Sequence, residues 1–173
     1  ISSDINFSLG GAAGENLSYY ASLGIQNQEG ILKESNLERY SGRLNLNQSA
    51  LDGRLDVNYS INAVYTENLR PNIGSIISDM IQLNPTIPAF TNGEPTALDE
   101  RLNPLRRNEL YSDNAENNRI IANVAPSLEI FEGLQYKLNL GLDYSVTDRF
   151  IQTSPFSLLE GFENGQLTSL NNR

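Results

Sequence analysis

The sequence of 173 residues contains no cysteine, no histidine and no tryptophan. Without cysteine the protein has neither a disulfide framework nor a thiolate metal site. Without histidine it lacks the most common general base and the most common metal ligand, so a Ser-His-Asp arrangement is excluded. Nothing in the sequence singles out a catalytic pair of carboxylates either. We therefore expect that the protein is not an enzyme.

Basic residues and long apolar runs are also scarce. Only 12 Lys and Arg residues stand against 21 Asp and Glu residues, which gives a formal net charge of -9. A surface that binds nucleic acid needs clustered basic residues, so we expect no nucleic-acid partner. No stretch approaches the ~18 apolar residues of a transmembrane helix. A membrane is still possible, because a β-barrel strand needs only about ten residues and gives no hydropathy peak.

The sequence does contain a repeated alternation of apolar and polar residues, which is clearest in residues 55–65 and 134–144. Successive side chains of a strand point to opposite faces, so each stretch has one apolar and one polar face. The polar face is rich in Asn, Ser and charged residues and must meet water. A soluble antiparallel sheet on a core and a membrane barrel with a wet lumen both satisfy this pattern. In a barrel, lipid would contact the apolar residues Leu44, Val57, Ile61, Leu138 and Leu140.

The sequence predicts six strands and one long loop. The strands are expected at 3–11, 16–28, 37–49, 54–67, 118–130 and 134–149, and the loop at 68–117. Short and long connections alternate, as in an up-and-down meander with tight turns at one end and long loops at the other.

Three local features refine this prediction. Apolar residues between Ile73 and Ile81 have helical spacing and predict one short helix in the loop, ended by Asn84-Pro85. Pro126 interrupts the fifth strand and predicts a bulge or an edge, because proline cannot donate to a ladder. Residues 166–173 are predicted to be a polar loop.

Tyrosine placement separates the two architectures further. Tyr19 and Tyr136 lie close to short turns, and Tyr40, Tyr65 and Tyr144 lie near long loops. This is the arrangement of two aromatic girdles at the two membrane interfaces. Tyrosine in a half-buried soluble core is the alternative, but the alternating connection lengths favour the barrel. The predicted lipid-facing girdle consists of Tyr19, Tyr40, Tyr59, Tyr65, Tyr136 and Tyr144.

Several short motifs resemble, in their order and spacing, the SusC/RagA-type TonB-dependent outer-membrane transporters. Residues 16–31 (NLSYYASLGIQNQEGI) and 39–46 (RYSGRLNL) resemble strands of the early barrel of that family. Residues 83–88 (LNPTIP) and 133–141 (GLQYKLNLG) follow in the family order. The resemblance covers essentially the whole chain. It implies an all-β, antiparallel up-and-down meander that is a segment of a large transmembrane β-barrel, with one short helix in a long extracellular loop.

The resemblance also implies a function. Such transporters import a nutrient, most often an oligosaccharide or a peptide, across the outer membrane of Gram-negative bacteria. They work with a SusD-like surface lipoprotein and take energy from TonB. Family members also carry a plug and N-terminal domains, which are not recognisable here, so residues 1–173 are expected to be a partial barrel domain of a longer protein. A stand-alone soluble or surface β-sheet module that binds carbohydrate remains the alternative.

The candidate contact residues lie on the predicted polar face and in the long loop. Arg39 and Arg43 fall on the polar face, where they could form structural salt bridges, hold a plug or touch a solute. Sugar sites combine aromatic platforms with polar forks, which makes Phe90, Arg106 and Tyr111 candidates for contact with solute or partner; a solvated loop is the favoured alternative.

No cofactor is expected. Four acidic residues could in principle bind calcium, which prefers several oxygen ligands, but they lack EF-hand spacing. Solvated loop acids are the favoured interpretation of Asp99, Glu100, Asp113 and Glu116.

Overall fold

A computed structural model describes residues 1–98, 102–156 and 164–173. These residues form ten strands and two helices. The strands are β1 (Ser2–Ala12), β2 (Leu17–Glu29), β3 (Asn36–Ala50), β4 (Leu55–Leu69), β5 (Phe90–Thr91), β6 (Glu94–Pro95), β7 (Tyr111–Phe131), β8 (Leu134–Lys137), β9 (Leu140–Thr153) and β10 (Gln166–Asn172). The helices are α1 (Ile73–Gln82) and α2 (Pro104–Leu110).

One antiparallel sheet contains most of these strands, in the order β1-β2-β3-β4-β7-β9-β10. β8, which precedes β9 in the chain, also pairs with β7. β5 and β6 form a separate two-stranded hairpin. Tight turns with positive φ connect neighbouring strands at one end, at Leu51, Asp52 and Gly53 and again at Gly133. The predicted all-β antiparallel meander is confirmed. Neither helix of the described part is long and apolar enough to span a membrane.

The cross-strand register places the predicted apolar residues on one face of the sheet. In one row, Tyr19 lies opposite Leu46, Leu46 opposite Tyr59, and Tyr59 opposite Val124. A register shift by one residue would move every apolar side chain of a strand to the other face. The shared apolar face therefore strongly specifies the register of strand pairing.

The sheet has no packed core in the part of the chain that the structure describes. The buried hydrophobic residues there are Ile76 in α1 and Leu102 just before α2. By contrast, Leu23 and Leu142 on the apolar face are 65% and 60% exposed. The apolar face is therefore open along its whole length.

The long connection differs from the prediction in its bounds and its content. β4 ends at Leu69 and β7 begins at Tyr111, so the connection runs from 70 to 110 and not from 68 to 117. We call residues 70–110 the insertion. It contains the predicted helix, α1, and also α2, which the sequence reading missed. Asn103 caps α2 by accepting a hydrogen bond from the Leu105 N–H at 3.0 Å, and Pro104 occupies the first turn.

Pro126 breaks the regular pairing of the neighbouring strand, while its own strand continues through it. β7 runs through Pro126, whose carbonyl accepts a hydrogen bond from the Leu138 N–H at 3.0 Å. The missing N–H of Pro126 points to the same side, because both backbone groups of a strand residue face one neighbour. The predicted strand 134–149 is therefore divided into β8 and β9, and the break lies at residues 138–139.

Two further predictions of strand bounds were wrong. β9 continues to Thr153, and residues 166–172, predicted to be a loop, form β10 against β9. Hydrogen bonding to a long neighbour stabilises a polar strand whose own alternation is weak.

Candidate functional site

The apolar face forms a band that is as tall as a membrane. On β4, the band extends from Leu55 to Tyr65. These residues span roughly 34 Å along the strand, and a tilt of about 40° reduces this to roughly 26 Å along the membrane normal. The outward apolar band of outer-membrane barrels is about 25 Å tall.

Directly above this band, the same face becomes acidic. Glu38 lies opposite Glu67, Glu67 opposite Glu116, and Glu116 opposite Asp148. We call these four residues the acidic row. Like charges that lie directly opposite each other are unfavourable, and they are tolerated where water and ions screen them. The acidic row therefore marks the level at which this face meets water.

The six tyrosines predicted as a girdle lie on this same face, and their role there stays a prediction. Tyr40 lies opposite Tyr65 with ring centroids 6.2 Å apart, next to the acidic row. Tyr144 lies opposite Ile120, one step further into the band. The remaining three, Tyr19, Tyr59 and Tyr136, lie towards the short turns.

The polar face is tied together by side-chain hydrogen bonds between strands. Asn117 donates to Thr147 Oγ1 at 2.6 Å and to Ser145 Oγ at 3.2 Å. Arg119 forms a two-point ion pair with Asp143, with Nε–Oδ1 at 2.9 Å and Nη2–Oδ2 at 2.5 Å. Such a face suits a water-filled lumen.

Arg39 and Arg43 lie on this polar face of β3 and are both exposed. Within the described residues neither forms a salt bridge, and the carboxylate of Asp143 is used by Arg119. Arg39 lies opposite Gln26 and Thr66, and Arg43 lies opposite Ser22 and Asn62. Among the described residues, two exposed guanidinium groups on a single strand thus have no carboxylate partner.

The insertion lies over the polar face at the rim of the sheet. A cavity of about 150 Å³ separates the two, lined on one side by Asn72, Arg107 and Leu110 of the insertion. Its other side is formed by Ile151 and Thr153, which belong to the polar face of β9.

Two side-chain contacts stabilise the insertion internally, and a third joins it to the connection between β2 and β3. Arg107 of α2 pairs with Asp79 of α1, and the two side chains are only about a fifth exposed. Asn108 Nδ2 donates to the Lys33 carbonyl at 3.1 Å, which ties α2 to the connection between β2 and β3. Asn103 Nδ2 donates to the Thr96 carbonyl at 3.0 Å.

At the base of the insertion, Asp113 is 3% exposed and is the most buried polar residue of the described part. Arg149 donates to both its carboxylate oxygens, from Nε at 2.7 Å and from Nη2 at 2.6 Å. These hydrogen bonds hold the pKa of Asp113 below its usual range, although burial acts in the opposite direction. Asp113 was predicted to be a solvated loop acid. That was wrong, because it belongs to β7 and is buried in an ion pair.

The loop candidates for solute contact do not converge. Arg106 pairs with Glu109 at 2.8 Å and lies 6.0 Å from the Phe156 ring, at a cavity of about 340 Å³. Tyr111 is not in the loop as predicted. It begins β7, where its hydroxyl lies 3.4 Å from Asp113 Oδ2, and Phe90 is exposed in the β5–β6 hairpin. Phe156 was not among the predicted contact residues, because a single phenylalanine outside the alternating stretches gives no sequence pattern that marks it.

Of the four calcium candidates, the structure describes Asp113 and Glu116, and both lie in β7. Asp99 and Glu100 lie outside the described residues, and Glu116 belongs to the acidic row in β7 and not to a loop. Among the described residues, no group of three or more acidic side chains is arranged to hold a metal ion.

Comparison with known proteins gives relatives of one kind. No family model matches the chain. TonB-dependent receptor SusC of Bacteroides thetaiotaomicron is 24% identical over 197 aligned positions, which cover 97% of this chain and 20% of that protein. TonB-dependent receptor P26 of Formosa agariphila is 31% identical over 146 positions, which cover 84% of this chain and 13% of that protein. The chain thus spans a fifth or less of the length of these relatives.

Solved structures share the fold. The RagAB peptide importer in a closed-closed state superposes with a TM-score of 0.67 at 21% identity, over 89% of this chain and 18% of that chain. A second structure of the RagAB peptide transporter gives a TM-score of 0.66 at 20% identity. The chain therefore belongs to the SusC/RagA-type TonB-dependent receptors, a family of transporters and not of enzymes that resides in the outer membrane of Gram-negative bacteria.

Proposed function

We propose that residues 1–173 form a sector of the wall of a larger closed β-barrel. The complete transporter imports a nutrient, an oligosaccharide or a peptide, with energy from TonB and with a SusD-like surface lipoprotein as partner. Its plug and N-terminal domains lie outside this chain. The similarity to the RagAB peptide importer supports a peptide as one solute class.

The observation that carries this proposal is the open apolar band below the acidic row. Its exposed side chains include Leu44, Ile61 and Leu140. Water would make such a surface costly, at about 25 cal/mol for each Å² of apolar area. Lipid removes this cost, and the height of the band matches the hydrocarbon layer.

The two edges of the sheet support a larger barrel. β1 and β10 each pair with one neighbour among the described strands. In a membrane, every unsatisfied backbone group costs several kcal/mol, so both edges need partners there. Further strands of the same barrel would supply them.

The polar face and the insertion would supply the contacts to solute and lipoprotein. Arg39 and Arg43 offer two guanidinium groups to anionic groups in the lumen, on a solute or on the plug. On α1, Ile73, Ile77 and Ile81 recur at helical spacing and are exposed. This apolar stripe offers a docking surface at the mouth.

A soluble or surface carbohydrate-binding module is disfavoured by the same observations. Such a module would cover the apolar face of its sheet with a second layer, and the described residues provide none. One face of the Phe156 ring is also approached by the Arg106 guanidinium, at 6.0 Å from the ring centroid.

A blot of fractionated cells tests the barrel, using an antibody against this sequence on boiled and unboiled samples. We expect a large outer-membrane band whose mobility changes on boiling, because closed barrels resist detergent until they are heated. A soluble band near 19.2 kDa, unaffected by heat, would refute the proposal.

Deletion of residues 73–88 from the complete transporter tests the contact role of the insertion. We expect reduced capture of the co-expressed lipoprotein by the transporter, with the barrel band unchanged. The substitution Asn92→Gly, at the tip of the β5–β6 hairpin, serves as a control in the insertion that leaves α1 intact. Equal capture by wild type and deletion variant would exclude α1 as a docking surface.

A further inference from the structure

The base of the insertion contains an ion pair whose placement is unlike that of the other pairs on the sheet. β4 ends at Leu69, opposite Asn114 of β7. Above this point, residues 111–113 of β7 pair with β9 and with no other described strand. Asp113 lies on this extension, one residue above the end of β4, where the chain leaves for the insertion and returns from it.

Both ends of the insertion are hydrogen-bonded to this point. The Arg70 N–H donates to the Asp113 carbonyl at 2.9 Å, and the Ser154 N–H donates to the Leu110 carbonyl at 2.8 Å. With its amide oriented so that Oδ1 faces Arg70, Asn68 accepts from the Arg70 guanidinium at 3.1 Å. The first and last residues of the insertion are thus held to β7 and to the chain that follows β9.

The carboxylate of Asp113 joins β7, the strand that follows the insertion, to its neighbour β9. It receives both hydrogen bonds from Arg149 of β9, and the positive charge of Arg70 stabilises its ionised form further. Asp113 is almost fully buried, so loss of its partner would leave a desolvated charge, which is strongly unfavourable. A two-point guanidinium–carboxylate contact also fixes orientation, which a single hydrogen bond does not.

The far side of the insertion has its own attachment. Arg107 joins α2 to α1, and Asn108 joins α2 to the Lys33 carbonyl between β2 and β3. The helix pair is therefore attached at its base near β7 and β9 and at its far side near β2 and β3, across the rim of the polar face.

We propose that Asp113 and Arg149 are positioning residues that hold the α1–α2 pair as a fixed shelf over the polar face. The shelf presents a preformed surface at the rim, and it does not order only when a solute or partner binds. The ion pair acts on the orientation of the insertion, while the sheet below it is held by its own ladder.

The sheet provides a matched control for this ion pair. Arg119 and Asp143 form an equivalent two-point contact between the same two strands, on the same face. This pair is about half exposed, and it lies deeper in the sheet, where no insertion begins. Its loss should leave the shelf where it is.

Distances between spin labels test the proposal in the complete transporter reconstituted in lipid. Labels can be attached at Ile81→Cys on α1 and Gln28→Cys on the polar face of β2, and residues 1–173 contain no other cysteine. We expect a narrow distance distribution in the parent protein and in Arg119→Gln. Asp113→Asn should broaden it, and Arg149→Lys, which keeps the charge but loses the fork, should give an intermediate width.

Proteolysis of the segment between α1 and α2 gives a second readout. Its cleavage rate should rise at least roughly tenfold in Asp113→Asn, since tenfold corresponds to about 1.4 kcal/mol and removal of one partner from a buried ion pair costs more. The heat-dependent mobility of the barrel should not change. If the Asp113→Asn barrel does not assemble, the label distribution and the cleavage rate of Arg149→Lys are compared with those of the parent protein instead.

Two outcomes would overturn the inference. One is an unchanged label distribution in Asp113→Asn, or in Arg149→Lys where that variant decides. The other is an equal broadening in Arg119→Gln. Neither readout depends on transport, so failure here is distinct from failure of the proposed function, which the boiling experiment tests.

Discussion

A single lysine placed on β4 can separate the lipid face from the lumen face. Ile61 lies in the middle of the apolar band, opposite Leu44 and Ala122. At the midplane of a barrel, a basic residue on the lipid face costs about 2–4 kcal/mol, and near the interface about 0–1 kcal/mol. Ile61→Lys should therefore lose about 2–4 kcal/mol of unfolding free energy. Leu55→Lys, at the lower end of the band, should lose about 0–1 kcal/mol from charge placement.

Asn58 provides the matched control for this prediction. It lies on the polar face of the same strand, opposite Asn47 and Ala125. Asn58→Lys places the same charge in the wet lumen, so it should change the unfolding free energy by less than about 0.5 kcal/mol.

Urea unfolding of the complete transporter in lipid vesicles, followed by the loss of the unboiled band, measures all three variants. The expected order of destabilisation is Ile61→Lys, then Leu55→Lys, then Asn58→Lys. If Asn58→Lys were as costly as Ile61→Lys, the assignment of the two faces would be wrong. If all three were neutral, the chain would not lie in lipid at all.

Three further predictions concern single residues. Glu67→Gln removes the central repulsion of the acidic row and should raise the unfolding free energy by about 0.2–1 kcal/mol at low salt, and by less at high salt; urea unfolding at the two salt concentrations measures this. The pKa of Asp113 is lowered in the folded protein, so its contribution to stability is complete above the unfolded value of about 3.9 and is lost as pH falls through the lowered pKa. Protease resistance of the insertion should therefore fall in acid, and Asp113→Asn should abolish that transition. Asn103→Ala removes the cap of α2 and should cost about 1 kcal/mol, seen as faster amide exchange in α2 with no change in β3.

The sheet could be predicted from the sequence because its signal is repeated. Alternation along each strand fixes which residues share a face, and Asp52-Gly53 fixes a hairpin, so the register of β3 and β4 follows from local chemistry. The family resemblance agreed with this pattern, and the curated relatives and the shared fold confirmed it.

The insertion and the base beneath it could not be predicted in the same way. Asp113 looks like any loop acid in the sequence, since its partner Arg149 is 36 residues away and only strand pairing brings them together. Asn103-Pro104 is a recognisable start of a helix, but the seven residues of α2 are too few to show a helical period. The strand break at residues 138–139 depends on the hydrogen-bonding side of Pro126, which no local pattern reveals.

The short backbone bridge between Arg70 and Asp113 has a consequence for how this rim can change. It brings the two ends of the insertion together, so the closure entropy of the connection is largely independent of what lies between them. Doubling such a loop costs only about 0.6 kcal/mol. Insertions of different length and chemistry can therefore be exchanged at this rim without disturbing the register of β4, β7 and β9.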